Sequence, residues 1–186
     1  MGRQTTASGR TSFSAGYRTT ASGYSSVALG FCTTASGGYS TASGKYSTAS
    51  GDYSTAMGQS NTATGTHAVV IGCFNQAQGK ASFSGGNGTR ANSFAETVVG
   101  TWNTTYTACS TTAYNACDKA FVVGTGSGYY AEANAFEIYK DGSAKLIPMP
   151  LASVCNATAG VIMIDSSDSN KLKFHDGTAW RTVSFT

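Results

Sequence analysis

Charge is what this sequence has least of. Asp, Glu, Lys and Arg make up 11% of its 186 residues, where about 25% is usual in a globular domain. The net charge of +3 is spread along the chain, so there is no basic patch for nucleic acid or an anionic membrane. Disordered chains combine high charge with few aromatics, and here aromatics reach 11%, which argues for folding. Proline occurs twice, at 148 and 150. No run approaches the ~18 apolar residues of a membrane-spanning helix. Met1 leads directly into polar sequence, so no signal peptide is expected. Either export takes another route or Met1 begins an excised fragment, and a repeat already running at Gly2 favours the fragment. The five cysteines form no C-x-x-C motif and no Cys/His cluster, which argues against structural zinc. No phosphate-binding loop and no pair of catalytic carboxylates stands out. No enzyme activity, metal or cofactor is expected.

What is present is a repeat. Gly falls at 2, 9, 16, 23, 30, 37, 44, 51, 58, 65, 72, 79, 86 and 100, a seven-residue step broken once, at Ser93. Collagen would need Gly at every third residue. A coiled coil would need apolar a and d positions, and Gly, Thr and Ser at this density oppose helix. Two residues before each Gly stands Ala in most copies, with Val or Ser in the rest. In a strand that residue and the Gly share one face, and the residues at minus three and minus one share the other.

The second face doubles the period. Phe13/Ala15, Val27/Leu29, Thr41/Ser43, Thr55/Met57, Val69/Ile71, Phe83/Gly85 and Thr97/Val99 recur every 14 residues, and nine of these fourteen are apolar. The intervening set, Thr6/Ser8, Thr20/Ser22, Thr34/Ser36, Thr48/Ser50, Thr62/Thr64, Gln76/Gln78 and Arg90/Asn92, contains no apolar residue. One coil is therefore two short strands and two corners. The small Ala/Gly face, common to both strands, is expected to point inward. One sheet then shows Thr, Ser and Gln to water. The other shows an apolar stripe, which marks an association surface. The simplest closed arrangement for a long fibre is parallel copies about a common axis, with Phe13, Val27, Leu29, Met57, Val69, Ile71, Phe83 and Val99 at the interface. Corner aromatics 14 apart, such as Tyr39 and Tyr53, are expected to stack.

The rhythm stops after Gly100. Residues 101–118 read as a loop extruded from a coil, and Cys109 and Cys117 are placed to close it with a disulfide in an oxidising compartment. "KAFVVG" at 119–124 restores a strand, and "FEIYKDGSAKL" at 136–146 reads as a hairpin turning at Asp141-Gly142. "LIPMPLA" at 146–152, with Pro148 and Pro150 barring helix, makes a boundary. Beyond it "GVIMID", "KLKFHDG" and "AWRTVSF" read as a three-stranded meander. The expected organisation is 1–100 β-roll, 101–118 loop, 119–147 closing coil and hairpin, and 148–186 a small C-terminal β tip.

"SSVALG" at 25–30, "AVVIG" at 68–72 and the recurring "TASG" resemble the head repeats of trimeric autotransporter adhesins, the YadA-like heads. The resemblance covers residues 2–100 and implies a left-handed parallel β-roll, a homotrimer joined through the Val/Ile-bearing sheet, and binding at host surfaces. In place of that family's coiled-coil stalk and anchor barrel, the sequence runs on into 119–186. There a D-G-x-x-W-R-x-V pattern at 176–183 is similar to the ends of phage-type tail fibres and of the mosaic adhesive trimers of predatory bacteria. Together these imply an all-β, homotrimeric, extracellular or cell-surface fibre end. Its expected role is non-enzymatic recognition of a cell-surface glycan or envelope component. A virion-fibre tip and a purely structural spacer are the alternatives. Sugars are held by aromatic faces beside polar groups, so the ligand-binding candidates are Trp102, Tyr106 and Tyr114 in the loop, and His175, Asp176, Trp180 and Arg181 in the tip.

Overall fold

The computed structural model describes residues 2–148 and 161–183. The segment "LIPMPLA" from 149 on, Cys155 and the end of "AWRTVSF" lie outside the described residues. No helix occurs among the described residues. The chain divides into two compact units, Met1–Ala144 and Lys145–Thr186.

The first unit is a parallel β-solenoid. Its long strands are β3 (Phe13–Tyr17), β5 (Val27–Phe31), β7 (Thr41–Lys45), β9 (Thr55–Gln59), β11 (Val69–Cys73), β13 (Phe83–Asn87) and β15 (Thr97–Thr101), headed by β1 (Gly2–Arg3). Between them lie the two-residue strands β2 (Thr6–Ala7), β4 (Thr20–Ala21), β6 (Thr34–Ala35), β8 (Thr48–Ala49), β10 (Thr62–Ala63), β12 (Gln76–Ala77) and β14 (Arg90–Ala91). Long strands pair with long and short with short, always 14 residues on: Val27 with Thr41, Thr55 with Val69, Thr34 with Thr48. A 14-residue coil thus generates two parallel sheets, and about seven coils stack from residue 2 to residue 101.

The core is methyl-sized. Ala21, Ala28, Ala35, Ala42, Ala49, Ala56, Ala63, Val70, Ala77, Ala91 and Val98 are fully buried, in the inward column expected from the sequence. Polar columns are buried beside them. Ser26, Ser40 and Ser82 each donate a hydroxyl hydrogen bond to the Gly carbonyl three residues back. Asn61 and Asn75 form a ladder. Each side-chain amide spans two carbonyls, those of Met57 and Gly72 for Asn61 and those of Ile71 and Gly86 for Asn75. The Asn61 Oδ1 accepts from the Asn75 N–H at 3.0 Å. Buried polar atoms are costly unless paired; the serine bonds close within a coil, whereas the Asn61 and Asn75 bonds also run from coil to coil.

Only one of the two glycine columns lines the interior. Gly16, Gly30, Gly44, Gly58 and Gly86 are exposed, whereas Gly23, Gly37, Gly51, Gly65 and Gly79 are buried. What they share is that a Cβ would collide with the carbonyl of the next coil: Gly30 with Gly44, Gly44 with Gly58, Gly23 with Gly37. Glycine is therefore a stacking requirement along the axis. At Ser93, where the step breaks, the next coil gives way to the 102–118 loop, and the Ser93 hydroxyl donates to the Lys119 carbonyl at 3.0 Å.

The outward face of the long-strand sheet carries the apolar stripe. Phe13, Leu29, Met57 and Ile71 are exposed, and Val27, Val69, Phe83 and Val99 are half-buried. At one corner Tyr39 stacks on Tyr53 at 5.0 Å, and Tyr53 on His67 at 4.9 Å.

The solenoid ends by reversing. After β15 the chain leaves for 102–118 and returns as β16 (Lys119–Thr125), parallel to β15 with Thr97 opposite Phe121, so this coil carries ten extra residues. β17 (Asn134–Tyr139) then pairs antiparallel to β16. It turns at Asp141-Gly142 into β18 (Ala144–Leu146), the last strand of an eleven-stranded sheet. The second unit, taken alone, contains an antiparallel meander of β19 (Ile162–Asp165), β20 (Lys171–His175) and β21 (Trp180–Thr182).

Candidate functional site

Two places gather chemistry-bearing side chains: the end of the solenoid and the meander. The solenoid end is built on β14, β15, the 102–118 loop and the β16–β17 connection. Trp102 keeps the corner position of the repeat, with φ of 39°. Its ring lies where a Cβ of Gly88 would be and meets Tyr129 edge to face at 6.2 Å. Tyr129 in turn meets Tyr130 edge to face at 5.0 Å. The Arg90 guanidinium sits 5.4 Å from the centre of the Tyr129 ring and pairs with Glu132 at 3.4 Å. The other Glu132 oxygen accepts from the Thr105 N–H and hydroxyl.

The β16–β17 connection is held by backbone. Gly126 N–H donates to the Thr101 carbonyl and Ala133 N–H to the Trp102 carbonyl, both at 3.0 Å. The Thr101 hydroxyl donates to the Gly126 carbonyl at 2.8 Å. Tyr129 and Tyr130 thus project from a short, pinned turn. Strand periodicity marks neither, because "KAFVVG" reads as a strand that closes at Gly124. The available signal was "GSGYYAE", two adjacent aromatics between turn residues.

The three loop candidates do not converge. Tyr106 is half-buried, and its hydroxyl is turned toward Glu96 and Lys119. Its hydroxyl donates to Glu96 Oε2 at 3.2 Å and accepts from the Lys119 N–H at 3.1 Å, and the Lys119 ammonium lies 4.7 Å from its ring centre. Burial, joined by the charge of Glu96, pushes the Tyr106 hydroxyl well above the usual range. Glu96 is fully buried. Its Oε2 accepts from the Asn92 and Ser93 N–H groups at 2.7 and 2.8 Å, while Oε1 has no partner. Burial pushes the Glu96 carboxyl up against these hydrogen bonds, which pull it down. Lys119 pairs with Glu137 at 2.8 Å, both buried. Burial of Glu137 is outweighed by hydrogen bonds from Lys119, Asn134 and Tyr139, and its carboxyl lies below the usual range. This cluster plugs the end of the solenoid.

Tyr114 is exposed, and its hydroxyl donates to the Lys140 carbonyl at 2.7 Å. Cys109 and Cys117 are exposed, with free thiols. They sit within hydrogen-bonding reach of one another, and desolvation, Asp118 and Cys117 raise the Cys109 thiol. Asp118, fully buried, anchors the loop by accepting from the Cys109 and Ser110 N–H groups at 2.7 and 2.9 Å.

The meander does bring its four candidates together. His175 is buried and meets Trp180 edge to face at 5.2 Å, and its Nδ1 accepts from the Gly177 N–H at 3.2 Å. Asp176 accepts from the Thr178 and Ala179 N–H groups and pairs with Arg181 at 2.7 Å. These bonds hold its carboxyl well below the usual range. In the neighbouring turn, Ser167 and Lys173 hold the Asp165 carboxyl down to about 2. Each polar group is therefore engaged in turn formation. Among the described residues, no three His, Cys, Asp or Glu side chains come together as metal ligands.

The family model for the YadA head domain repeat (2 copies) matches residues 1–31, 33–52 and 49–72. No curated protein matches the chain.

Proposed function

We propose that this chain, whose residues 1–72 match the YadA head repeat of adhesin-type extracellular surface fibres, is part of a homotrimeric adhesin that recognises a cell-surface glycan or envelope component without enzymatic chemistry. The observation that carries the trimer is the apolar stripe. Phe13, Leu29, Met57 and Ile71 stand exposed on one sheet, Phe13 in the column of Val27 and the other three in a second column, where Ser43 separates Leu29 from Met57 and Met57 pairs with Ile71. A monomer has no reason to set these large apolar groups outward on a single face. Three copies covering these faces would supply the apolar burial that an alanine core lacks. The head repeat would hold the binding surface away from the producing cell, and three copies of a weak site give avidity.

The test is binding of the fluorescently labelled protein to intact bacterial and mammalian cells, before and after mild periodate oxidation of their glycans. The proposal expects saturable binding that periodate abolishes. Binding unchanged by periodate would move recognition to a protein component. No binding to any surface would support a spacer role.

A further inference from the structure

The strongest unexplained feature of the solenoid end is Tyr130, 97% exposed on a backbone-pinned turn. Several other surface aromatics of the solenoid are engaged by ring partners: Tyr39 and Tyr53 stack face to face, and Tyr17 stacks on Phe31. Tyr130 makes one edge-to-face contact, with Tyr129, and keeps the rest of its ring surface open. A large aromatic side chain so fully in water, on a segment too constrained to fold it away, is an unpartnered contact group.

Its surroundings narrow the partner. Tyr129 meets it edge to face, and Trp102 meets Tyr129 in turn. The Arg90 guanidinium lies 5.4 Å from the Tyr129 ring centre, and Arg90 and Glu132, a planar donor group and a planar acceptor group, are fixed by their mutual pair and by Thr105. Aromatic surface next to a few preset polar groups is the composition of a small-molecule subsite. The polar pair is charge-balanced, so it offers hydrogen bonds to hydroxyls without net attraction for an anion. We propose that Tyr130 and Tyr129, with Trp102 against Tyr129 and the Arg90–Glu132 pair beside that ring, form a carbohydrate subsite in which Tyr130 takes the apolar face of a neutral pyranose whose hydroxyls are directed to Arg90 and Glu132. This inference rests on the glycan-recognising adhesin reading and gives it a location.

The test uses a glycan array carrying neutral hexose and N-acetylhexosamine oligosaccharides beside sialylated and sulfated ones. It is probed with the wild-type protein and with Tyr130→Ala, Tyr130→Phe and Trp180→Ala, and each protein is also sized by light scattering. The expected result is wild-type binding to neutral sugars, weakened about tenfold or more by Tyr130→Ala and kept within about fivefold by Tyr130→Phe. The four proteins should have the same mass. If Tyr130→Ala binds like wild type while Trp180→Ala does not, glycan recognition stands and this subsite is wrong. If only the acidic sugars bind, the subsite is also wrong. A blank wild-type array overturns the glycan reading and the subsite with it. A smaller mass for Tyr130→Ala would place Tyr130 inside the oligomer and overturn the subsite.

Discussion

At the scale of the residue, the fold depends on conformations that its side chains do not advertise. One corner residue in every seven is left-handed, from Gln4 (φ 58°) and Thr11 (φ 59°) through Tyr46, Tyr53 and Ala81 (φ 57°) to Trp102, with Gly88 filling one place in the series. Most of these are not Gly or Asn, and each carries a conformational cost of about 1 kcal/mol. Ala81→Gly is therefore expected to raise stability by up to about 1 kcal/mol, net of glycine's entropy. Gly44→Ala, whose Cβ would strike the Gly58 carbonyl at φ 108°, should cost more than about 3 kcal/mol. Thermal melts of the two variants check this, and equal shifts would contradict it. Glu96 sets a second expectation. Its folded carboxyl lies above the ordinary 4.5, so the native state holds the proton more tightly than the unfolded chain. That contribution is present below about pH 4.5 and is lost as pH rises through the folded value. Melting temperature against pH should fall less steeply across this window in Glu96→Gln than in the wild type. Parallel curves would show that Glu96 titrates as it does in the unfolded chain.

At the scale of the element, the repeat was readable because packing imposes it on every coil. The inward alanines, the 14-residue register and the outward stripe from Phe13 to Val99 all follow from period and residue size. So do the turn at Asp141-Gly142 and the order of strands in the meander. What periodicity does not carry was missed. The left-handed corners lack a glycine signature, and the stacking role of Gly30 and Gly44 depends on the coil above rather than on strand facing. Tyr106 turns inward because Glu96 and Lys119 wait for it, a contact between segments that no local pattern encodes. In the site, His175 with Trp180 and Asp176 with Arg181 could be grouped by proximity in sequence, whereas Arg90, Trp102, Tyr129 and Glu132 meet only through the fold. The 102–118 loop yields its own test. The Cys109 and Cys117 thiols lie side by side, so oxidation by a disulfide such as oxidised glutathione should join them and close a short loop, a cross-link of about 2–3 kcal/mol. Mass spectrometry after alkylation should show two fewer labelled cysteines and a link between these two. Labelling of both at the same rate as in the reduced protein would contradict it.

At the scale of the whole molecule, the account turns on association. An alanine-lined solenoid buries little apolar side-chain area, and its large apolar groups face outward. Burying one such side chain between chains contributes about 1.5–3 kcal/mol, so a charge placed on the stripe should be decisive. Ile71, 47% exposed in the single chain, lies mid-stripe between Met57 and Gly85. Its replacement by Asp leaves the inward core untouched. The most direct measurement is light scattering on the purified chain and on Ile71→Asp at equal concentration. The account predicts three times 19.0 kDa for the wild type and a loss of that mass for Ile71→Asp. A well-folded wild type at the mass of one chain would contradict it.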